Sequence, residues 1–293
     1  MHAAEQFQIY LETEKRYSQH TLLAYEKDLS QFLDFAELNN DKQLPEVNFQ
    51  LVRAWMVDLL ENGQSNRTVS RKISCLRSFF KWLIAEGKIE QNPMLRIRGP
   101  KVEKRLPQFI KESEIDGARI EQLFSANFEG VRDRLMFELF YQTGIRLSEL
   151  IGLKNKDVSA NSIKVLGKRN KERIIPIGKA LFEIIRSYQQ LKPDGPDSQI
   201  MLFVNKDGRK LYAKFVYRKI NTYLGSVTNS QKKSPHVMRH TFATHMLNNG
   251  AGLETLKELL GHANLSATQV YTHNSFAQIN SIYSHAHPRG RKK

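Results

Sequence analysis

The residues best suited to chemistry fall in four short stretches: TGIRLSEL (143–150), VLGKRNKERIIPI (165–177), SPHVMRHTFATHML (234–247) and LLGHANLSATQVYTH (259–273). They pool arginine, lysine, histidine and tyrosine, and those types together can break a phosphodiester. That reaction needs a nucleophile, positive charge facing the non-bridging oxygens, and a proton for the leaving oxygen. Arg146 and Arg239 offer planar guanidinium forks that match a phosphate bidentately and bind more strongly as charge builds in the transition state. His262 can add a hydrogen bond to the same oxygens. His236 takes a phenolic proton or donates to phosphate, and the residues leave that choice open. Lys168 lies in the turn of a predicted β-hairpin, where a long flexible stem reaches a leaving oxygen, with Lys171 as its nearest rival. Glu149, three residues after Arg146 on one helical face, is placed to orient that arginine. A metal centre fits less well. His236, His240, His245, His262 and His273 lack a His-Glu-x-x-His pattern, a cysteine pair or converging carboxylates, so no metal or other cofactor is expected.

Taken in order, these motifs give the chain a family likeness. It resembles the tyrosine recombinases (phage integrase family), and within them the Xer-type site-specific recombinases, over nearly its whole length. In that family the active site combines an arginine on a Gly-x-Arg-x-Ser-Glu-Leu turn, a hairpin lysine, a His-x-x-Arg pair, a Gly-His, and a tyrosine nine residues later. The matching positions are Arg146, Lys168, His236, Arg239, His262 and Tyr271, and none is substituted. The resemblance implies that Tyr271 becomes a 3′-phosphotyrosyl and that Lys168, the first lysine after the glycine, protonates the leaving 5′-oxygen. A covalent link conserves the bond energy, so rejoining needs no ATP, and the chain carries no Walker loop.

These groups need a scaffold. The length of 293 residues suits two domains, and a composition of 40% hydrophobic and 26% charged residues is that of a globular protein. Apolar residues recur at three-to-four spacing around Phe7 and Leu11, from Thr21 to Phe35, from Phe49 to Leu60 and from Thr68 to Ile84, predicting a small all-helical domain over 1–90. Residues 91–108 hold three prolines and no lasting period and are expected to form an extended linker. In 109–293 the pattern predicts an apolar helix from Arg132 to Tyr141, β-runs at 163–166 and 173–177, one more strand at 200–204, and helices at 213–224, 235–249, 252–260, 266–273 and 275–284. The fold class expected is mainly α. The resemblance makes the first domain a SAM-like core-binding domain and the second a mostly α catalytic domain with a small antiparallel sheet, closing on DNA as a C-shaped clamp.

The net charge is +15, divided as +2 over residues 1–108 and +13 over 109–293, which favours a polyanionic partner. The excess is dispersed over loops and several helices, which favours nucleic acid over a membrane surface, and the resemblance implies that this partner is double-stranded DNA. The expected DNA contacts are Arg67, Arg71, Lys72 and Arg77 in the first domain. In the second they are Lys171 and Arg173 beside the hairpin, with Lys210, Lys214 and Arg218 in an aromatic-rich basic stretch. Cys75, the single cysteine, reads as a buried thiol. The start of the chain carries acids and no apolar leader, so a bacterial-type, cytoplasmic and nucleoid-associated protein is expected.

Exchange between two duplexes needs four cutting subunits. The partners expected are therefore a recombination site, identical or paralogous subunits in a tetramer, and an activating DNA translocase. Ile279, Ile282 and Tyr283 in the C-terminal tail are expected to pack into a neighbouring subunit, with Arg289 to Lys293 solvated, and Tyr283 is the rival nucleophile. The helical domain begins within about ten residues of the start, which favours resolution of chromosome or plasmid dimers over an integrase with an additional arm-binding domain. The alternatives are the integrase of a phage or of a conjugative or transposable element, and a type IB topoisomerase.

Overall fold

The computed structural model describes residues 2–103, 108–167, 171–261 and 273–290, with the backbone alone described for 273–278. The chain divides into two compact units, residues 1–105 and 106–293. The first contains helices α1 (Ala3–Thr13), α2 (Gln19–Phe35), α3 (Phe49–Glu61) and α4 (Asn66–Ala85). Their apolar stripes meet in one core, where Phe7, Phe32, Trp55, Phe79 and Phe80 are buried. Phe7 packs edge-on against Phe79 with ring centroids 5.2 Å apart, an arrangement that suits the ring quadrupoles. Cys75 is buried as expected, and burial pushes its thiol up to about 12.

The segment expected as a linker does not run free at its start. Met94 and Ile97 enter the first core, the Arg77 guanidinium donates to the Ile97 carbonyl at 3.1 Å, and Asn66 donates to the Lys101 carbonyl at 3.0 Å. Two apolar side chains and these backbone acceptors hold residues 92–101 along α4, which pattern-reading of a proline-rich stretch does not reveal.

The second unit is built around a buried helix. It contains α5 (Gly117–Glu121), α6 (Phe128–Thr143), α7 (Leu147–Gly152), strands β1 (Val158–Ser159), β2 (Ser162–Leu166) and β3 (Glu172–Pro176), then α8 (Lys179–Leu191), α9 (Ala213–Val227), α10 (Pro235–Asn248), α11 (Leu253–Leu260) and α12 (His273–Ala286). Every residue of α6 from Leu135 to Thr143 is buried, which explains a run too apolar for a surface helix. The strands form one antiparallel sheet in the order β1-β2-β3, with Val165 opposite Arg173. Residues 200–204 do not form the expected strand. They make isolated bridges, Lys154 to Met201 and Val204 to Lys210, and the apolar run is explained by burial of Met201, Leu202, Phe203 and Val204.

The tail also departs from expectation. Ile279 and Tyr283 are buried in the core of their own unit, and Arg289 reaches Glu138 at 3.3 Å. The Ile279–Tyr283–His287 spacing of four puts these side chains on one helical face, which meets Tyr141 and Gln142 of α6 and Phe242 of α10. His287 stacks on Tyr283 with ring centroids 5.2 Å apart and meets the Tyr141 carbonyl at 3.2 Å. Burial raises the Tyr283 phenol well above its ordinary value. With its ring buried in the core, Tyr283 does not fit the expectation of a rival nucleophile.

Candidate active site

The start of one helix and one strand converge on a single carboxylate. Arg146 is the N-cap residue of α7, and its backbone N–H donates to Glu149 Oε2 at 2.8 Å while its Nη1 donates to Oε1 at 2.7 Å. Arg173 from β3 grips the same carboxylate with both terminal nitrogens, Nη1 to Oε1 at 2.9 Å and Nη2 to Oε2 at 2.8 Å. Glu149 is therefore the orienting carboxylate expected for Arg146. Burial opposes its ionisation, but the hydrogen bonds and charges of Arg173 and Arg146 outweigh that cost and hold the carboxyl at about 2.

The C-terminus of α11 supplies the other anchor. Its last carbonyls have no partner within the helix, and three successive ones each take an arginine. Arg173 Nε donates to Leu259 O at 2.8 Å, Arg239 Nη2 to Leu260 O at 2.7 Å, and Arg146 Nη2 to Gly261 O at 3.1 Å. Gly261 makes this possible by turning the chain in the left-handed region at φ 64, where a side chain is disfavoured. Its added Cβ would lie 3.2 Å from the Arg173 side chain.

Arg239 is tied at a second point, donating from Nη1 to Gly144 O at 2.7 Å. Gly144 ends α6 at φ 59, and a Cβ there would lie 2.5 Å from Phe242 Cδ1, so no larger residue fits this turn. Burial, then the charges of Arg146 and Arg173, pull the Arg239 guanidinium down to about 10, still far above neutrality. It stays charged in a crowd of like charges that an incoming anion would relieve. His236 is exposed near the N-terminus of α10, three residues before Arg239. Its neighbour His240 has a depressed pKa through burial and then through His236.

Arg146, Arg239 and Glu149 are thus brought together, with His236 on the helix that carries Arg239. Lys168, His262 and Tyr271 lie outside the described residues. Gly167 N–H donates to Lys171 O at 2.8 Å, just beyond the paired ends of β2 and β3. Lys171 is exposed beside it.

Two expected DNA contacts need correction. Arg173 is 4% exposed, with its guanidinium bonded to Glu149 and Leu259, so it offers nothing to a phosphate. Lys72 is likewise 4% exposed and is held by Asp28 at 3.1 Å and by Gln31. Arg71 pairs with the same Asp28 from the surface, and Arg67 and Arg77 are exposed on α4. Lys210, Lys214 and Arg218 are exposed on or next to α9, beside the exposed Tyr212 and Tyr217.

The buried role of Arg173 carried a signal. Along ERIIPI the inward phase takes Arg173, Ile175 and Ile177, so period-two alternation already points the arginine inside. Lys72 sits three residues after Val69 and four before Leu76, in the apolar phase of α4.

A family model described as the phage integrase family matches residues 113–278, and one described as the phage integrase N-terminal SAM-like domain matches residues 4–87. A tyrosine recombinase XerC of Staphylococcus carnosus is 41% identical, with 99% of this chain and 98% of that protein covered. A tyrosine recombinase XerC of Bacillus subtilis is 38% identical over 97% of this chain and 95% of its own length. Among solved structures, the XerH site-specific recombinase bound to a palindromic difH substrate superposes with a TM-score of 0.71 at 20% identity, covering 98% of this chain and 82% of that one. The Tn1549 transposon integrase in complex with transposon right-end DNA gives 0.70 at 19% identity, covering 95% and 98%. These structural likenesses speak to the fold.

Proposed function

The chain belongs to the phage integrase family of tyrosine recombinases, enzymes that break and rejoin DNA, and on that premise we propose that it cuts and rejoins DNA at a specific site in the manner of the Xer recombinases, resolving chromosome or plasmid dimers. The observation that carries the chemistry is the pair of arginines on one carboxylate with Arg239 beside them. Glu149 cancels one positive charge and leaves a surplus at Arg146 and Arg239, both anchored to backbone carbonyls. Such an arrangement favours a dianionic phosphorane-like transition state over a monoanionic phosphodiester, and it needs no rearrangement as charge develops.

In the proposed step the Tyr271 phenolic oxygen bonds to the scissile phosphorus as its proton leaves toward His236 or solvent. The bond from phosphorus to the 5′-oxygen breaks, and that oxygen takes a proton from Lys168. The phosphate stays esterified to Tyr271 and to the 3′-oxygen, and attack by a second 5′-hydroxyl reverses the step on a new strand. Exposed Lys210, Lys214 and Arg218, with Arg67, Arg71 and Arg77, are the proposed backbone contacts. The working assembly is a tetramer on paired sites, of identical subunits or with a paralogous recombinase, under the control of a DNA translocase. Its setting is the cytoplasm, on the nucleoid.

The test begins with footprinting on the source chromosome to recover the site. The protein is then incubated with a nicked duplex of that site and denatured in SDS. A protein–DNA adduct is expected from the parent and none from Tyr271→Phe, which should bind the half-site with unchanged affinity. An adduct from Tyr271→Phe would remove that residue from the role. Deletion of the gene should give filamentous cells with unsegregated chromosomes; normal segregation with loss of excision of a resident mobile element would establish an integrase instead.

A further inference from the structure

Arg173 and Arg146 share Glu149, yet their situations differ. The Arg173 side chain is 4% exposed and that of Glu149 is 3% exposed, whereas the Arg146 side chain is 35% exposed. Of the five N–H donors on a guanidinium, Arg173 directs three at Glu149 and Leu259, all inside the protein. Arg146 uses one on Glu149 and one on Gly261 O, and it faces the surface beside Arg239. A doubly bonded, buried pair of opposite charges is close to neutral as seen from outside. From the surface the site therefore shows the charges of Arg146 and Arg239.

We propose that Arg173 is a positioning residue whose task is to neutralise Glu149, leaving the Arg146 guanidinium aimed and free to bind the scissile phosphate. The role rests on the DNA-cleavage reading above. Glu149 alone would orient Arg146 but would also claim its charge, because a buried carboxylate with one cationic neighbour draws that cation fully onto itself. With Arg173 present, both carboxylate oxygens are already engaged by a second cation, and the contact from Arg146 becomes a guide instead of a trap. The Nε bond from Arg173 to Leu259 fixes the same arginine to the end of α11, so the positions of Arg146 and of the Gly261 turn are set by one side chain. The three N–H donors of Arg146 not engaged by Glu149 or Gly261 then remain for phosphate oxygens.

The experiment compares the parent with Arg173→Met, Arg173→Lys and the double variant Arg173→Met/Glu149→Gln, on the footprinted site as a nicked duplex in three chemical forms. One has the natural phosphodiester. One has a methylphosphonate at the scissile position, which lacks one non-bridging charge. One has sulfur in place of the 5′-bridging oxygen, a leaving group that needs no proton. Rates of adduct formation are measured with DNA saturated, half-site affinity separately, and folding by thermal melting.

Arg173→Met should cleave the phosphodiester about 100-fold more slowly, comparable to losing one preorganised donor, with affinity changed only a few-fold. The methylphosphonate should shrink that ratio to about 10-fold or less, because less charge then has to be met, whereas sulfur substitution should leave it unchanged. Arg173→Lys, which keeps the charge without the fork, should lie between.

The double variant removes the claiming charge and should recover a large part of the lost rate. It also has no unpaired buried carboxylate, so it keeps the test valid if Arg173→Met does not fold. A double variant that melts like the parent but cleaves no faster than Arg173→Met, or, where that variant does not fold, about 100-fold more slowly than the parent, overturns the proposal. So does a folded Arg173→Met within about threefold of the parent rate. Rescue by the sulfur duplex would transfer the role to the hairpin lysine. A parent that forms no adduct refutes the cleavage reading itself.

Discussion

Each unit of this protein buries a carboxylate between two cations, and the trios at Asp28 and at Glu149 behave differently. In the first unit Asp28 on α2 is met by Lys72, whose side chain is 6% exposed, and by Arg71, 46% exposed, both from α4. In the second, Glu149 on α7 is met by Arg173 from β3, 4% exposed, and by Arg146, 35% exposed. The inner cation cancels the carboxylate in both, and the outer one looks toward solvent.

The difference lies in what holds the outer cation and what stands beside it. Arg146 is pinned to Gly261 O at the end of α11, next to Arg239, whose guanidinium is bonded to carbonyls. Arg71 bonds the carboxylate, and Lys72 packs over the Trp55 ring at 5.7 Å. The first trio ties two helices together. The second holds two cations, Arg146 and Arg239, fixed close enough to feel each other's charge.

That contrast breaks most directly at its outer and inner cations. Arg146→Ala should slow adduct formation on the footprinted duplex by about 10²–10³ with little change in melting temperature. Lys72→Met should do the reverse, lowering stability in urea by about 1–3 kcal/mol while the rate at saturating DNA stays within a few-fold. If Lys72→Met slowed cleavage as much as Arg146→Ala does, the division into a structural and a chemical trio would fail.

Acid sharpens the comparison next. The folded Glu149 carboxyl lies near 2 against an ordinary 4.5, so its contribution is complete above about pH 4.5 and is lost as pH falls toward 2. In the same unit, burial above all, with His245 and Arg289 nearby, holds His287 neutral and lowers it to about 3 from an ordinary 6.5. A proton taken up by the unfolded chain but refused by the folded one means stability that is complete above pH 6.5 and declines from there toward 3. The second unit should therefore lose a few kcal/mol on acidification, the histidine acting first. Denaturant melts from pH 7 to 3 should show His287→Gln flattening the upper part of that decline and Glu149→Gln the lower part. An unchanged slope in both variants would mean that neither burial matters.

The smallest effect is expected where charge is simply exposed. Lys214→Ala and Arg218→Ala on α9 should each weaken DNA binding a few-fold and reduce the slope of log affinity against log salt by about 1. Neither should alter the rate at saturation. A rate defect without a change in salt slope would move these residues from backbone contact into the chemistry.

Much of this arrangement was legible. Three-to-four periodicity placed α1 to α4, α6, and α9 to α11 within a few residues, and the β2–β3 hairpin followed from two short apolar runs about a polar turn. Glu149 was found as the partner of Arg146 from a spacing of three. The two misread DNA contacts have a common cause: a charge was taken as solvated because of its type. Lys72 and Arg173 lie in the apolar phase of their elements, so the periodicity already placed them inside.

The amino-acid sequence alone determined the ordered set of candidate groups, the helical period of both units and the basic excess of the second. Each is a property of residue type and local spacing. Which charges face solvent was decided by the tertiary structure. Asp28 and Lys72 are 44 residues apart, and Glu149 and Arg173 are 24 apart, so whether a buried cation finds its carboxylate depends on how distant elements pack. A local pattern can turn a lysine or arginine inward, but only the packed fold supplies the partner that makes its burial affordable.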